Sequence, residues 1–159
     1  MNKVILLAVL CVLTACGAAP TRLVYSSGFS FANYDYVIIG RPDGQSASTS
    51  LYGMDVEFAN LLSKYNMNVV GEKEYARMAH DDQKRTLIAR MAISSNDDRI
   101  VSTVSFDDAV SGRTGSSVTG FTEGDMFDTE DREAAFKSVA DTVSKALQRD
   151  KNLQITDGR

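Results

Sequence analysis

This chain is poor in the side chains that do most enzymatic chemistry. Its two cysteines are Cys11 and Cys16, and no thiol follows them. The segment after residue 16 therefore has no internal disulfide, no cysteine-ligated zinc and no cysteine nucleophile. His80 is the single histidine and tryptophan is absent. Lys and Arg total 17 against 21 Asp and Glu, for a formal charge of −4. A mildly acidic domain gives no electrostatic reason to expect nucleic acid as a partner. It also lacks the polybasic cluster that would hold it to anionic headgroups. Only one long apolar run exists, residues 4–13, and it is too short for a transmembrane helix, which needs about 20 residues.

That run has another meaning. Met1-Asn2-Lys3 is a short positive start, Val4 to Leu13 is almost wholly apolar, and Leu13-Thr14-Ala15-Cys16 ends in small residues before a cysteine. The pattern is that of a secretory signal, and its last four residues resemble the bacterial lipobox. The resemblance implies cleavage before Cys16, diacylglycerol on its thiol and usually an acyl group on its new amine. Cys16 is thus the expected lipidation site, and the covalent lipid is the only expected prosthetic group. The competing reading is an ordinary secretory signal with an incidental cysteine. Gly17 rather than Asp follows Cys16, which resembles an outer-membrane address with the domain facing the periplasm.

Removing residues 1–15 leaves about 140 residues, the size of one domain. Residues 16–33 are mixed and rich in small side chains, and read as a lipidated tether. Residues 34–149 read as a single α/β domain, and 150–159 as a flexible tail. Asp35 to Gly40 is a short β-prone run. Arg41 to Ser50 is a polar loop with a Pro-Asp-Gly turn. Leu51, Met54, Phe58, Leu61, Leu62 and Tyr65 fall at helical spacing, with Ser50 as a possible cap and Asn66 at the left-handed end position. Met67 to Gly71 reads as a strand, Glu72 to Ala79 as a short helix broken by His80-Asp81-Asp82. Thr86–Ser94, Ile100–Phe106 and Ser116–Phe121 alternate and form an antiparallel meander. Ala135, Phe136, Val139, Ala140, Val143, Ala146 and Leu147 line one face of a last helix, capped by Asp128 or Thr129. The expected fold is α+β, an α/β sandwich in the order β-α-β-α-β-β-β-α. Its mixed sheet contains the meander, and helices pack on it.

Few residues suggest chemistry. His80 beside Asp81 and Asp82 could form an acid/base pair or half a metal site, but a polar helix end accounts for it better. Glu123, Asp125, Asp128, Glu130, Asp131 and Glu133 are oxygen-rich, yet their spacing is not that of an EF-hand. Asp107 and Asp108 are adjacent on a strand, so they point to opposite faces and cannot flank one bond. Ser111-Gly112-Arg113-Thr114-Gly115 lacks the Lys and helix of a P-loop and reads as a hairpin turn. Gly115 to Gly120 does not have nucleophile-elbow spacing. No catalytic residue and no metal ligand are expected, and the chain reads as a non-enzyme.

A family resemblance rests on Asn33-Tyr34-Asp35-Tyr36-Val37-Ile38-Ile39, on Asn68-Val69-Val70-Gly71-Glu72-Lys73-Glu74-Tyr75, on Val104 to Gly112 within the meander, and on the Ala-rich final helix. Together these resemble small periplasmic lipoproteins with a domain like the N-terminal domain of TolB. That domain is seen also in the curli secretion lipoprotein and in the lipoprotein activator of a peptidoglycan synthase. The chain lacks the usual Leu-Gly-Ala-Asp stretch before the first meander strand and the long insertions of a pore-forming subunit. The resemblance implies a binding or assembly module and identifies no functional residue. The expected function is a lipid-anchored periplasmic adaptor or assembly protein that binds another envelope protein, attached to the membrane through its lipid. The alternative is a lipoprotein that binds a small molecule or peptidoglycan fragment. The sequence leaves the partner, its binding surface and the oligomeric state open.

Overall fold

The computed structural model describes residues 21–40, 53–96 and 99–157. Cys16 and the loop 41–50 lie outside the described residues, as does Ser50. The elements run in the order Arg22–Tyr25 (β1), a 3-10 turn Phe31–Asn33, Tyr36–Gly40 (β2), Met54–Lys64 (α1), Asn68–Val69 (β3), Glu72–Tyr75 (α2), His80–Gln83 (α3), Thr86–Asn96 (β4), Arg99–Asp108 (β5), Thr114–Glu123 (β6) and Thr129–Asp157 (α4).

The strands form one sheet in the order β1-β6-β5-β4-β2-β3. β2 runs parallel to β3 and β4, whereas β4, β5, β6 and β1 pair antiparallel in turn. The fold is α+β with a mixed sheet, as the pattern of the sequence predicts.

Alternation along the meander decides which face is covered. Leu87, Ala89, Met91 and Ile93 on β4 are buried, as are Ile100, Ser102, Val104 and Phe106 on β5 and Ser116 and Val118 on β6. Against them lie Met54, Phe58 and Leu62 of α1, and Ala135, Phe136, Val139, Val143, Ala146 and Leu147 of α4. Both helical stripes match the sequence periodicity. A row of rings runs through this core: Phe31 meets Phe106 edge-on at 4.9 Å, Phe106 lies 6.1 Å from Phe58, and Phe58 lies 5.9 Å from Phe136. Edge-to-face rings add a modest attraction beyond their buried area. α4 crosses β6 at Gly120, where a Cβ would come within 2.9 Å of Val139 Cγ2. The bare backbone there sets how closely helix and sheet approach.

The helix ends follow local chemistry. α1 begins after Gly53, whose φ of 92° suits glycine, and ends before Asn66, whose φ of 58° is left-handed. Asp128 caps α4 by accepting the Glu130 N–H at 2.8 Å, and Glu130 and Asp131 stand in its first turn.

Three expectations are corrected. The proposed tether, residues 16–33, holds an edge strand and a core residue. Arg22 to Tyr25 pairs with Thr119 to Ser116 of β6, and Phe31 is fully buried. Four residues flanked by small and polar side chains gave no strand signal, because the pairing partner lies far along the chain. The proposed tail, 150–159, is helical to Asp157. Asp150 is buried because its carboxylate accepts the Phe31 N–H at 3.0 Å and pairs with Arg149 at 2.9 Å. Lys151 donates to the Tyr34 carbonyl at 2.6 Å. His80 does not end a helix; it opens α3, one turn carrying Asp81 and Asp82 in the favourable first positions.

Candidate functional site

The residues that the sequence offered for chemistry do not converge. His80 is exposed on α3, and Asp81 beside it pairs with Lys84 at 3.1 Å. Asp82 contributes its carbonyl to the Thr86 hydroxyl at 2.8 Å. Among the described residues, no three His, Cys, Asp or Glu side chains gather as a metal-binding group. In the acidic run, the carboxylates of Asp125, Asp128 and Asp131 are taken up by backbone N–H groups of the run itself. Asp125 accepts the Phe127 N–H and Asp131 accepts the Asp125 N–H, each at 2.9 Å. These carboxylates close a turn and cap a helix.

Asp107 and Asp108 diverge, as their place on β5 requires. Asp107 takes the Arg90 Nε at 2.9 Å and the Thr114 hydroxyl at 2.7 Å. Asp108 closes the β5–β6 hairpin by accepting the Ser111 N–H at 2.7 Å, with Gly112 at a φ of 67° completing the turn. Its other oxygen accepts the Tyr34 hydroxyl at 3.2 Å. Burial acts to raise the Asp108 pKa, but the bonds from Ser111 and Tyr34 outweigh it and hold the carboxyl below its ordinary value. The same contact acts oppositely on Tyr34. Burial first, then the adjacent Asp108 charge, push its phenol from 10.0 up to about 12.

A group with a raised folded pKa favours the native state fully below its unfolded pKa and ceases to do so as pH climbs through the folded value. The window for Tyr34 is therefore from 10.0 to about 12. The melting temperature is expected to fall across this range, and Tyr34→Phe is expected to flatten the fall. Tyr25, also raised by burial, keeps part of the slope. Thermal melts followed by circular dichroism at stepped pH measure this. Equal slopes in both proteins would remove Tyr34 as a cause.

The surface that remains is the other face of the meander. Arg22 and Val24 of β1, Ser117, Thr119 and Phe121 of β6, Val101, Thr103 and Ser105 of β5, and Arg90, Ala92 and Ser94 of β4 point away from α1 and α4, and none is buried. Register sets them in rows: Val101 opposite Phe121 and Ser94, and Thr103 opposite Thr119 and Ala92. The Thr103 and Thr119 hydroxyls lie 3.3 Å apart. Strands about 4.8 Å apart and roughly eight residues long give this face an area of roughly 400 Å². Its short, β-branched and hydroxyl side chains make it flat, with apolar area at one end and Arg90, tied to Asp107, nearer the other.

No protein family matches this chain. No curated protein matches it either. Among solved structures, the chain is similar to the following. Two structures of the PelC dodecamer from Paraburkholderia phytofirmans align with TM-scores of 0.47 and 0.45, at 20% and 19% identity. The first covers 82% of this chain and 98% of the other, the second 81% and 96%. A neuraminyllactose-binding hemagglutinin homolog from Helicobacter pylori aligns with a TM-score of 0.40 at 12% identity, over 84% of this chain and 97% of that one.

Sequence reasoning singled out neither the uncovered face nor Phe127. The first was visible as the Val101, Thr103, Ser105 half of an alternating strand, but alternation does not say which half a helix will cover. The second stood inside the acidic run, where its neighbours' charges drew attention away from it.

Proposed function

We propose that this protein is a lipid-anchored, non-enzymatic adaptor or assembly factor at the periplasmic side of the bacterial outer membrane, which binds another envelope protein. The uncovered face of the meander is the observation that carries this reading. A flat, partly apolar sheet surface suits a protein surface of matching shape better than a small ligand, which is bound in a concavity. The lipobox-like Leu13 to Cys16 supports the anchor and the address. Carboxylates held in ordinary structural roles at Asp107, Asp108, Asp125, Asp128 and Asp131 fit a module that works by contact.

Placement strengthens the reading. β1 starts at Arg22, six residues after Cys16, so an extended chain puts the sheet within about 20 Å of a lipidated Cys16. A partner must then meet the domain next to the membrane. A photo-crosslinking residue at Thr103 is expected to trap one discrete envelope protein in intact cells. The same residue at Val110, on the β5–β6 hairpin, is expected to trap none. Recovery of no adduct from Thr103, Thr119 or Ala92 would overturn this face as the binding surface.

A further inference from the structure

Among the exposed large apolar side chains, Phe127 stands apart. It is 90% exposed, whereas Val24, Val56, Val69 and Val110 lie between 37% and 60%. Nor is it on a loose loop. Its N–H is held by Asp125 Oδ1 at 2.9 Å, the Asp128 N–H returns to the Asp125 carbonyl at 2.9 Å, and Arg132 Nη1 holds the Met126 carbonyl at 2.8 Å. The Asp125 N–H is in turn held by Asp131. The turn faces Met126 toward the core and Phe127 toward solvent. The backbone that carries the ring is thus already held, so docking the ring costs chiefly the freedom of its own side chain.

What the ring meets follows from chain geometry. β1 enters the sheet with Arg22 level with Thr119 on β6. β6 continues past that level to Glu123, about 13 Å at a strand's rise, and the Phe127 turn lies beyond its end. Because β1 runs antiparallel to β6, its Arg22 end points toward that same end of the sheet. Arg22 is six positions after Cys16, a reach of about 20 Å. Thr21, just before β1, bonds to Ser138 within α4, whose N-terminus follows the turn. A lipid on Cys16 can therefore lie level with the β6–α4 turn.

We propose that Phe127 is a second membrane contact, a ring that dips into the bilayer interface beside the acyl chains of Cys16 and sets the tilt of the domain. The proposal rests on the lipid-anchored reading above. The carboxylates of Asp125, Asp128 and Asp131 stay at the level of the headgroups, where they are hydrated and bound to backbone N–H groups, so the surface that suits the turn is zwitterionic. With Phe127 in the bilayer, the β5–β6 hairpin at Val110 points away from it, and the uncovered face stands upright beside the membrane.

The absence of tryptophan makes a direct test possible. Phe127→Trp and Val110→Trp each place one indole in the full-length lipidated protein, reconstituted in phosphatidylcholine vesicles carrying dibrominated phosphatidylcholine. The expected result is blue-shifted emission and several-fold stronger bromolipid quenching for Phe127→Trp than for Val110→Trp. An unquenched indole at 127 on protein that co-sediments with the vesicles overturns the lipid contact, leaves the anchor standing and assigns the turn to a protein partner. Equal quenching at both positions overturns the orientation and the proposal with it. Failure of the unsubstituted protein to co-sediment overturns anchor and contact together.

Discussion

Phe31→Ala is expected to destabilise the fold by about 3–5 kcal/mol, as large aromatic truncations in cores do. Phe31 is fully buried, with Phe106 at 4.9 Å, Phe29 at 5.0 Å and Tyr25 at 6.2 Å around its ring. Its backbone N–H is the donor that makes burial of the Asp150 carboxylate tolerable. Removing the ring opens a cavity among residues from both ends of the chain, beside the Arg149 guanidinium that lies 5.0 Å from the Tyr25 ring. Against a typical total of roughly 5–15 kcal/mol, the loss is a large fraction. A melting point lower by roughly 10 °C or more follows for a domain of this size. Calorimetry or circular dichroism on anchor-free protein measures it. A tether residue would show no change, so a shift within error would restore residues 16–33 as a tether and remove Phe31 from the core.

That prediction marks the boundary of what the sequence makes legible. Elements with strong short-range periodicity were readable. The stripe from Ala135 to Leu147 needs only its own spacing to declare a helix, and the alternation from Ile100 to Phe106 needs only itself to declare a strand. Asn66 and Asp128 were readable as caps because a cap is a local event. β1 was not readable. Arg22-Leu23-Val24-Tyr25 does alternate, with Leu23 and Tyr25 packed on the core, but four residues are too few to separate strand from chance. Its partner β6 lies nearly a hundred residues away. Asp150 failed for a related reason. A carboxylate near a helix end looks like a solvated terminus until the Phe31 N–H and Arg149 are brought to it by the tertiary fold. Of the candidate surface, the sequence supplied the side chains but not the choice of face. That choice depends on where α1 and α4 settle, which Gly120 and the ring row decide jointly.

Cys16→Ser is expected to move the protein from the membrane fraction to the soluble fraction essentially completely. Each buried CH₂ of an acyl chain contributes about 0.8 kcal/mol, and a single myristoyl chain alone gives an association constant of only about 10⁴ M⁻¹. Two or three chains on Cys16 would therefore hold the protein for practical purposes permanently, and their loss would not be compensated. The acidic surface offers no polybasic patch to replace them. One ring at Phe127 buries too little apolar area to anchor the domain without a second attachment. Cys11→Ser is the matched control, because it alters a thiol within the apolar run and leaves Leu13 to Cys16 intact. It is expected to change neither processing nor fractionation. The measurement is intact-mass spectrometry together with membrane fractionation. Unsubstituted protein should carry the added mass of diacylglycerol on a chain beginning at Cys16, and Cys16→Ser should carry none. If Cys16→Ser is processed and fractionates as the unsubstituted protein does, the segment is an ordinary secretory signal. The domain then meets its partner in free solution. The five residues between Cys16 and Arg22 then constrain nothing, and the membrane-facing role of the β6–α4 turn falls with the anchor. If the protein is released, every partner of the uncovered face must meet a sheet whose first strand starts within about 20 Å of the bilayer, which favours membrane proteins and what they hold close.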